Sequence, residues 1–396
     1  MNLRIITEIP TPYRNPDFER LNKECRRREI DFCVYFLAKN DPIRPASWFE
    51  VDNLNYPHKF FEGGKISFGH RNIYFNFSLI KDVLAMQDGV VMMAGLWNHF
   101  TTAAIALDFR RRYRLVGWLE LNHKKPGIDN WITRVVRKVF IKRLDALALP
   151  GKSAEFFLST ILEMDYPTNL IMPRPNLIDE KKFRQAAENF DLKKRSAMRS
   201  LLGVGEDDLM AIWPARHIPE KAIGRFLRVL ADSIEILRRN RWKVVILGDG
   251  VEFNANSMLI RKLGLEHYVF QKQNLDYDLM PNVYLSSDLF LLPSLEDANP
   301  LTVIESLISG LPLLISTGVG NHYEALEDTN GWLLDFDNNP ERVRSTVREA
   351  LETRPDKLKK MGAVSSKIYN SKWDIESSTQ RQLDFIESRF KNNVVI

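Results

Sequence analysis

The stretch Leu291–Gly310, LLPSLEDANPLTVIESLISG, shows how this chain folds. An apolar strand ends at Leu292, a polar loop follows, and Pro300 stands where proline favours the first turn of a helix. Short apolar, β-branched runs alternate with longer helical patterns in this way along the whole sequence. Strands separated by helices form parallel sheets with helices packed on both faces. The sequence therefore predicts a doubly wound α/β fold.

The predicted strands fall into two sets, one in each half of the chain. In the first half they are Leu3–Thr7, Asp31–Leu37, Gly89–Ala94, Arg114–Leu119 and Ala146–Leu149. In the second half they are Leu209–Ala215, Lys243–Leu247, Tyr268–Gln271, Leu289–Leu292 and Leu313–Ser316. A chain of 396 residues is too long for one ordinary core, so two sheets indicate two domains.

We expect two Rossmann-like domains that face each other across a cleft. The first covers residues 1–180 and the second covers residues 181–372, and a further helical pattern follows at residues 373–390. The segment Met172–Asn189, which contains Pro173 and Pro175, is the predicted linker. In open α/β sheets ligands bind beyond the carboxyl ends of the strands, so the cleft is the expected site.

The composition is that of a globular protein that works inside the cell. Hydrophobic residues make up 44% and charged residues 27% of the chain, which argues against a disordered or fibrous protein. No apolar run approaches the roughly 18–20 residues that cross a bilayer, and the first residues do not resemble a signal peptide. The two cysteines, Cys25 and Cys33, fit reduced thiols. We therefore expect a cytoplasmic location, with peripheral attachment to the inner face of the membrane as an option.

Basic charge is concentrated between Asp108 and Asp145. That segment contains eleven Lys or Arg and four Asp or Glu, a net charge of +7, whereas the whole chain carries +5. Within it, Trp131–Leu144 reads as one helix with a basic face and an apolar face; the basic residues are Arg134, Arg137, Lys138 and Lys142. Two interpretations remain open: a domain helix with a solvated basic face, or a helix that docks on an anionic membrane surface.

Two loops in the second half carry features that suit a diphosphate. After the strand that ends near Ala215, Arg216 precedes Lys221, which we place in the first turn of a helix over residues 221–240. Cations oppose the dipole at a helix start, so they are better explained if an anion binds between them. After the strand Lys243–Leu247 comes Gly248-Asp249-Gly250, whose glycines permit close approach of a ligand.

The loop after Leu292 carries the acids of the predicted donor site. Asp297 precedes the helix and can reach a sugar hydroxyl, while Glu305, in the second turn, can accept hydrogen bonds from ribose hydroxyls. The free N–H groups of the first helical turn can bind phosphate oxygens. The alternative is a simple capping arrangement in which Glu305 is solvated.

These motifs resemble the donor domain of the family 4 retaining glycosyltransferases, group 1 enzymes with the GT-B fold. In that family an Arg and a Lys hold the diphosphate, and a Glu-x7-Glu motif, usually with Gly-Phe-Gly after its first Glu, holds the sugar and the ribose. Arg216, Lys221 and Glu305 match that pattern directly. Asp297 replaces the first Glu, with Glu296 beside it as the alternative occupant, and the Gly-Phe-Gly is absent.

The resemblance covers most of the chain and implies the roles of its parts. It implies that residues 1–180 bind the acceptor, that residues 181–372 bind the donor, and that helix 373–390 packs back on the first domain. Other matching segments are IPTPYRNP near the start, Pro175–Asp179, Gly310–Pro312, Gly318–Glu324 and Asn330–Gly331. The donor-binding residues that it implies are Arg14, Gly248, Asp249, Glu296, Asn299, Pro300, Leu301, Thr302 and Glu305. The catalytic candidates are Arg216, Lys221 and Asp297 on the donor side and Glu120 and His123 on the acceptor side, with His99 behind them.

Taken together, the motifs and the resemblance imply a retaining glycosyltransferase that moves a sugar from a UDP- or GDP-sugar to a glycan or lipid-linked acceptor. No DxD triplet or metal-ligand spacing is present, so we expect no metal and no cofactor. Two other functions remain open. A DNA-modifying glucosyltransferase would also need a basic cleft, although nucleic acid is the less favoured partner, and a non-catalytic sugar-nucleotide-binding protein would explain the missing Gly-Phe-Gly.

Overall fold

The computed structural model describes residues 1–40, 54–68, 71–124 and 130–391. The chain divides into two compact units. Unit 1 consists of Met1–Asp179 and Ile375–Ile396, and unit 2 consists of Glu180–Asp374. Each unit is an α/β structure built on its own parallel sheet.

Within the described residues, the sheet of unit 1 has seven parallel strands in the order β3-β2-β1-β6-β7-β8-β9. Their bounds are β1 Asn2–Thr7, β2 Asp31–Phe36, β3 His58–Phe60, β6 Val90–Ala94, β7 Arg114–Trp118, β8 Ala146–Leu149 and β9 Ile171–Pro173. A separate antiparallel hairpin pairs β4 Gly64–Phe68 with β5 Arg71–Phe75. The connections run to opposite sides of β1, so the order of the strands reverses between β1 and β6. Ligands of doubly wound sheets bind at such reversals.

Helices cover both faces of the sheet of unit 1. They are α1 Asn15–Arg27, α2 Phe77–Leu84, α3 Phe100–Ala106, α4 Trp131–Ile141, α5 Lys152–Phe156 and α16 Ile375–Phe390. One face packs against α1 and α16 through residues such as Phe18 and Leu383, and the other packs against α2 to α5 through Leu79, Ile105 and Phe140. The last helix of the chain therefore contributes to the core of unit 1.

Unit 2 repeats the architecture with six parallel strands among the described residues, in the order β12-β11-β10-β13-β14-β15. Their bounds are β10 Leu209–Pro214, β11 Trp242–Leu247, β12 Val269–Lys272, β13 Leu289–Leu292, β14 Leu313–Ser316 and β15 Gly331–Leu334. The helices are α6 Glu180–Glu188, α7 Leu192–Leu202, α8 Ile223–Ala231, α9 Ile234–Arg239, α10 Phe253–Lys262, α11 Met280–Leu285, α12 Leu301–Ile308, α13 His322–Ala325, α14 Pro340–Glu352 and α15 Pro355–Lys372. Here the strand order reverses between β10 and β13.

All ten predicted strands are confirmed, each to within one residue at either end. The sequence missed the hairpin and the short strands β3, β9 and β15. The predicted linker Met172–Asn189 contains the boundary between the two units, at Asp179 and Glu180, but it also carries regular structure, because Ile171–Pro173 forms β9 and Glu180–Glu188 forms α6. Pro173 indicated a loop, but it lies in β9. This strand is at the edge of the sheet and pairs with β8 alone among the described strands, so the missing N–H of the proline is tolerated.

Two predicted helices also differ from the structure. The helix expected over residues 221–240 is a 3₁₀ turn at Pro219–Lys221 followed by α8 and α9, so Lys221 precedes the first α-helix. The helix expected over Trp131–Leu144 ends at Ile141. Its apolar residues Trp131 and Val139 are 74% and 49% exposed, whereas Phe140 and Ile141 at its end pack into the core of unit 1.

Candidate active site

In unit 2 the loops after β10 and β13 meet at the reversal of strand order. The backbone N–H groups of Leu295 and Glu296 both donate to the carbonyl oxygen of Glu220, at 2.9 and 3.3 Å. Beside this contact the Lys221 ammonium donates to Asp297 Oδ2 and forms an ion pair with it. The structure thus joins the predicted cation and the predicted acid, which are 76 residues apart in the sequence.

A glycine loop after β14 holds the Asp297 segment in place. The N–H of Asp297 donates to the Gly318 oxygen at 2.9 Å, and the N–H of Gly320 donates to the Asp297 oxygen at 2.7 Å. A Cβ atom on Gly318 would lie 2.3 Å from the Leu295 oxygen, and one on Gly320 would lie 1.9 Å from the Ala298 oxygen. Only glycine permits this close approach, which explains the two glycines of the matching segment.

Helix α12 begins directly after this loop. Pro300 is the residue before the helix, and Leu301 and Thr302 form its start with free backbone N–H groups. The side chain of Asn321 donates to the Pro300 oxygen at 3.1 Å and fixes the entry to the helix. Asn299, immediately before Pro300, is buried. The predicted phosphate-binding helix start therefore lies next to the pair of Lys221 and Asp297.

Glu305 is buried in the second turn of α12 rather than solvated, so the capping alternative is wrong. Its carboxylate accepts hydrogen bonds from the hydroxyls of Tyr284 at 2.7 Å and Tyr277 at 3.3 Å. Burial raises the pKa of the Glu305 carboxyl. The Lys182 ammonium lies 4.5 Å from the centre of the Tyr277 ring. The sequence analysis missed both tyrosines, of which Tyr284 is in α11 and Tyr277 is in the 3₁₀ turn before it.

The loop after β11 packs against the segment that carries Arg216. Gly248 and Gly250 have φ angles of +154° and +151°, and a Cβ atom on Gly248 would lie 2.1 Å from the Ala215 oxygen. The N–H of His217 donates to the Asp249 oxygen at 2.9 Å, so this histidine joins the two loops. Its ring is buried, and burial lowers the pKa of its imidazole.

The Arg216 side chain is exposed and makes no hydrogen bond or ion pair with the described residues, while its backbone oxygen accepts from the Ile218 N–H at 2.9 Å. It follows the strand β10 at the same end of the sheet as Lys221, the glycine loop and the start of α12. Cationic groups and backbone N–H groups therefore converge at the carboxyl edge of this sheet, where they can bind a diphosphate.

The polar residues of unit 1 also lie at the carboxyl ends of its strands. Arg14 donates to Thr7 Oγ1 at 2.9 Å and to Glu120 at 3.0 Å, and its guanidinium lies 4.5 Å from the centre of the Trp118 ring. His99 Nε2 lies 3.0 Å from the carboxylate of Glu8, a residue that the sequence analysis missed. Glu8 and His99 follow β1 and β6, the strands between which the order reverses.

His123 lies against α5. Its Nδ1 lies 3.1 Å from Ser153 Oγ, and its ring contacts Phe156. Burial, followed by the nearby Lys124 charge, lowers the pKa of His123. The structure thus joins Arg14 with Glu120 and leaves His123 beside α5. In the part of the chain that the structure describes, no three His, Cys, Asp or Glu side chains are grouped to hold a metal ion.

Residues 194–367 match the family described as glycosyl transferases group 1. Among curated relatives, a UDP-Gal:alpha-D-GlcNAc-diphosphoundecaprenol alpha-1,3-galactosyltransferase of Escherichia coli is 27% identical over 182 residues, 44% of this chain and 43% of the relative. The lipopolysaccharide glucosyltransferase WaaG of Escherichia coli K12 is 26% identical over 220 residues, which are 54% of this chain and 55% of the relative. The chain therefore spans about half the length of the curated relatives that it matches.

Solved structures of glycosyltransferases share the fold over almost the whole chain. One from Rickettsia africae ESF-5 is 13% identical with a TM-score of 0.73 and covers 99% of both chains. Anabaena Alr3699/HepE, solved in complex with UDP and glucose, is 15% identical with a TM-score of 0.72 and covers 98% of this chain and 100% of its own. At these identities the likeness shows the fold, and the predicted GT-B fold class is confirmed.

Proposed function

We propose that this chain, whose residues 194–367 form a group 1 glycosyl transferase domain, is a retaining, metal-independent glycosyltransferase. It would transfer a hexose from a nucleotide-diphosphate sugar to a glycan or lipid-linked acceptor. The observation that carries the proposal is the pair of Lys221 and Asp297 beside the start of α12. That arrangement places a cation, an acid and free N–H groups at the reversal of strand order in unit 2.

The diphosphate of the donor would bind to Lys221, Arg216 and the start of α12. Lys221 has three N–H donors, so its ammonium can contact phosphate oxygens while it remains near Asp297. Leu301 and Thr302 would add backbone N–H groups. The Gly248–Gly250 loop packs against the Ala215 and His217 oxygens and would hold the segment that carries Arg216 in place. These groups would stabilise the negative charge that grows on the diphosphate as it departs, which lowers the barrier to transfer.

The nucleoside and the sugar would bind on either side of the diphosphate. Glu305 would accept hydrogen bonds from the ribose, because its carboxylate is held in place by the hydroxyls of Tyr277 and Tyr284. Asp297 or Glu296 would contact a sugar hydroxyl, with Asn299 beside them. UDP is the first nucleotide to test, since the HepE structure contains UDP. Retention and independence of metal rest on the resemblance to family 4 and on the cations at the site.

Incubation of the purified chain with UDP- and GDP-sugars tests this proposal. We expect release of the nucleoside diphosphate and, with an acceptor or water, a sugar product whose anomeric configuration equals that of the donor by NMR. Inversion of the configuration would contradict the retaining mechanism alone. Absence of release with every donor would leave a binding protein as the better interpretation.

We further propose that α4 docks unit 1 on an anionic membrane surface. The apolar residues of this helix are between 42% and 74% exposed; they are Trp131, Ile132, Val135, Val136 and Val139. Lys125 and Asp129, which precede the helix, lie outside the described residues. Basic side chains flank the apolar residues; they are Arg134, Arg137, Lys138 and Lys142. An apolar helix face bordered by cations suits shallow insertion among anionic lipids, and each cation adds about 1 kcal/mol.

No helix among the described residues is long and apolar enough to cross a bilayer. We therefore expect the chain to sediment with phosphatidylglycerol vesicles and to be released by high salt. Changing the four basic residues of α4 to Gln, or Trp131 and Val135 to Ser, should each weaken binding. Changing four exposed lysines of α15, Lys357, Lys359, Lys360 and Lys367, to Gln is the matched control and should not. Equal binding to phosphatidylcholine vesicles, or equal loss in the control, would contradict this docking surface.

A further inference from the structure

Glu8 lies where unit 1 would be expected to bind a ligand. It follows β1, and its hydrogen-bond partner His99 follows β6, so the pair spans the reversal of strand order in this sheet. His99 is buried, whereas the Glu8 side chain is 45% exposed. The buried His99 ring therefore holds the Glu8 carboxylate in place, and the carboxylate remains accessible at the carboxyl edge of the sheet.

The anchoring of Glu8 is specific. His99 Nε2 donates to Glu8 at 3.0 Å, while His99 Nδ1 has no hydrogen-bond partner among the described residues. Because an ionised carboxylate only accepts hydrogen bonds, the proton of this contact is on His99 Nε2. The ring packs against Tyr74, and a Cβ atom on Gly95 would lie 3.3 Å from it. These contacts orient the His99 ring so that Nε2 faces the Glu8 carboxylate.

A second carboxylate lies at the same edge of the sheet. Glu120 follows β7 and is held by Arg14, which also interacts electrostatically with Glu8. Described cations also follow strands at this edge, among them Lys39 after β2 and Lys124 after β7, so the charge immediately beside Glu8 decides what can bind to it. A phosphate placed against the Glu8 carboxylate would be repelled by it, whereas a sugar hydroxyl can donate a hydrogen bond to it.

Aromatic rings stand next to these polar groups. Phe100, which follows His99, stacks on Phe75 with ring centres 5.3 Å apart and contacts Phe77 at 6.0 Å. Phe77 and Phe100 begin α2 and α3, whose first residues lie at the carboxyl edge of the sheet, and both rings are exposed. A carboxylate can accept hydrogen bonds from sugar hydroxyls, and an exposed aromatic ring can pack on the C–H face of a sugar. The two kinds of group together suit a carbohydrate ligand.

We infer that Glu8, positioned by His99, is a specificity-determining residue that binds the acceptor through the hydroxyls of an uncharged sugar. The inference rests on the proposed glycosyltransferase function and assigns its acceptor class: a neutral sugar residue at the receiving end rather than a phosphorylated one. Glu8 is assigned to acceptor recognition, whereas Lys221, Arg216 and the start of α12, which are proposed to hold the diphosphate of the donor, are in unit 2.

The test compares Glu8→Gln with wild type, using octyl glycosides of neutral hexoses and the same glycosides carrying a 6-phosphate. Wild type should use a neutral glycoside and discriminate against its phosphorylated form. Glu8→Gln should lower kcat/KM for the neutral glycoside about 10- to 100-fold, mainly through KM, because it loses a charge-assisted hydrogen bond. Binding of the nucleoside diphosphate and transfer of the sugar to water should not change.

Two further variants complete the test. Glu62→Gln replaces an exposed carboxylate of the same unit and should behave as wild type. His99→Phe keeps a ring of similar packing but removes the N–H that donates to Glu8. Like Glu8→Gln, it should raise the KM for the acceptor and affect kcat less. The inference is wrong if kcat/KM of Glu8→Gln for the neutral glycoside stays within threefold of the wild-type value. It is also wrong if wild type uses none of the neutral glycosides, whether or not it uses the phosphorylated ones. If wild type neither binds nor cleaves any donor, the proposed function itself fails.

Discussion

Replacing Lys221 by Ala should affect turnover and stability together, because the ion pair with Asp297 belongs both to the proposed donor site and to the fold. The side chains of Lys221 and Asp297 are 12% and 19% exposed, so most of the pair is shielded from water. Loss of one group that stabilises developing charge lowers turnover by about 10²–10³. We expect a decrease of that size in the release of nucleoside diphosphate at saturating donor.

The stability change follows from the same contact. Lys221→Ala leaves the largely buried Asp297 carboxylate without its partner, which costs about 1–3 kcal/mol. In a domain of this size, 1 kcal/mol lowers Tm by roughly 2–4 °C. The double variant Lys221→Ala/Asp297→Asn should lose less stability than the sum of the two single variants, because each single change already breaks the pair.

Lys243→Ala provides the control for these measurements. Lys243 is also partly buried and donates one hydrogen bond, to the His267 oxygen at 2.7 Å, but it lies near the start of β11, away from the carboxyl edge. This variant should keep its turnover. Turnover of Lys221→Ala within a few-fold of wild type would remove Lys221 from the mechanism, and additive stability changes would mean that the pair is not formed in solution.

Three further predictions concern unit 2. Glu305→Gln should weaken binding of the nucleoside diphosphate by about 1–3 kcal/mol in calorimetry; an unchanged Kd would exclude a ribose contact. Burial raises the pKa of the Glu305 carboxyl above its ordinary 4.5. The protonated carboxyl therefore stabilises the fold below pH 4.5, and this contribution is lost as the pH rises through the raised pKa. Glu305→Gln should accordingly show a flatter pH dependence of the unfolding free energy above about pH 4.5. Ala222 has φ +53°, so Ala222→Gly should raise the unfolding free energy in urea by about 0.5–1 kcal/mol, and a decrease would show that no strain exists there. Activity should persist in excess EDTA; loss that Mn²⁺ restores would contradict a metal-independent mechanism.

The strands and the motif loops could be predicted because their signals are local. β-branched runs such as Val244–Leu247 specify strands by themselves, and the residues that follow a parallel strand must lie at its carboxyl edge. This reasoning placed Lys221 and Asp297 at one edge without any knowledge of the contact between them. It failed for β9, where Pro173 obscured an edge strand whose pairing depends on β8, more than twenty residues earlier in the sequence.

The remaining features depend on contacts that sequence spacing does not reveal. Glu305 was expected to contact ligand or solvent, but its hydroxyl partners come from α11 and the turn before it. Glu8 and His99 are 91 residues apart, and only the strand order brings them together. For α4 the amphipathic pattern was visible, but which face packs inward depends on what the rest of unit 1 offers, and Phe140 and Ile141 make that contact.

Binding of sugar nucleotides at the β10/β13 edge tests the central claim most directly. Thermal unfolding of wild type and Lys221→Ala should be recorded with UDP-, GDP- and ADP-sugars and without ligand. A ligand at 100 times its Kd stabilises the native state by about 2.7 kcal/mol, so one donor should raise the Tm of wild type by roughly 5 °C or more and that of Lys221→Ala by clearly less. No shift with any sugar nucleotide, or an equal shift in both proteins, would contradict a donor site at Lys221.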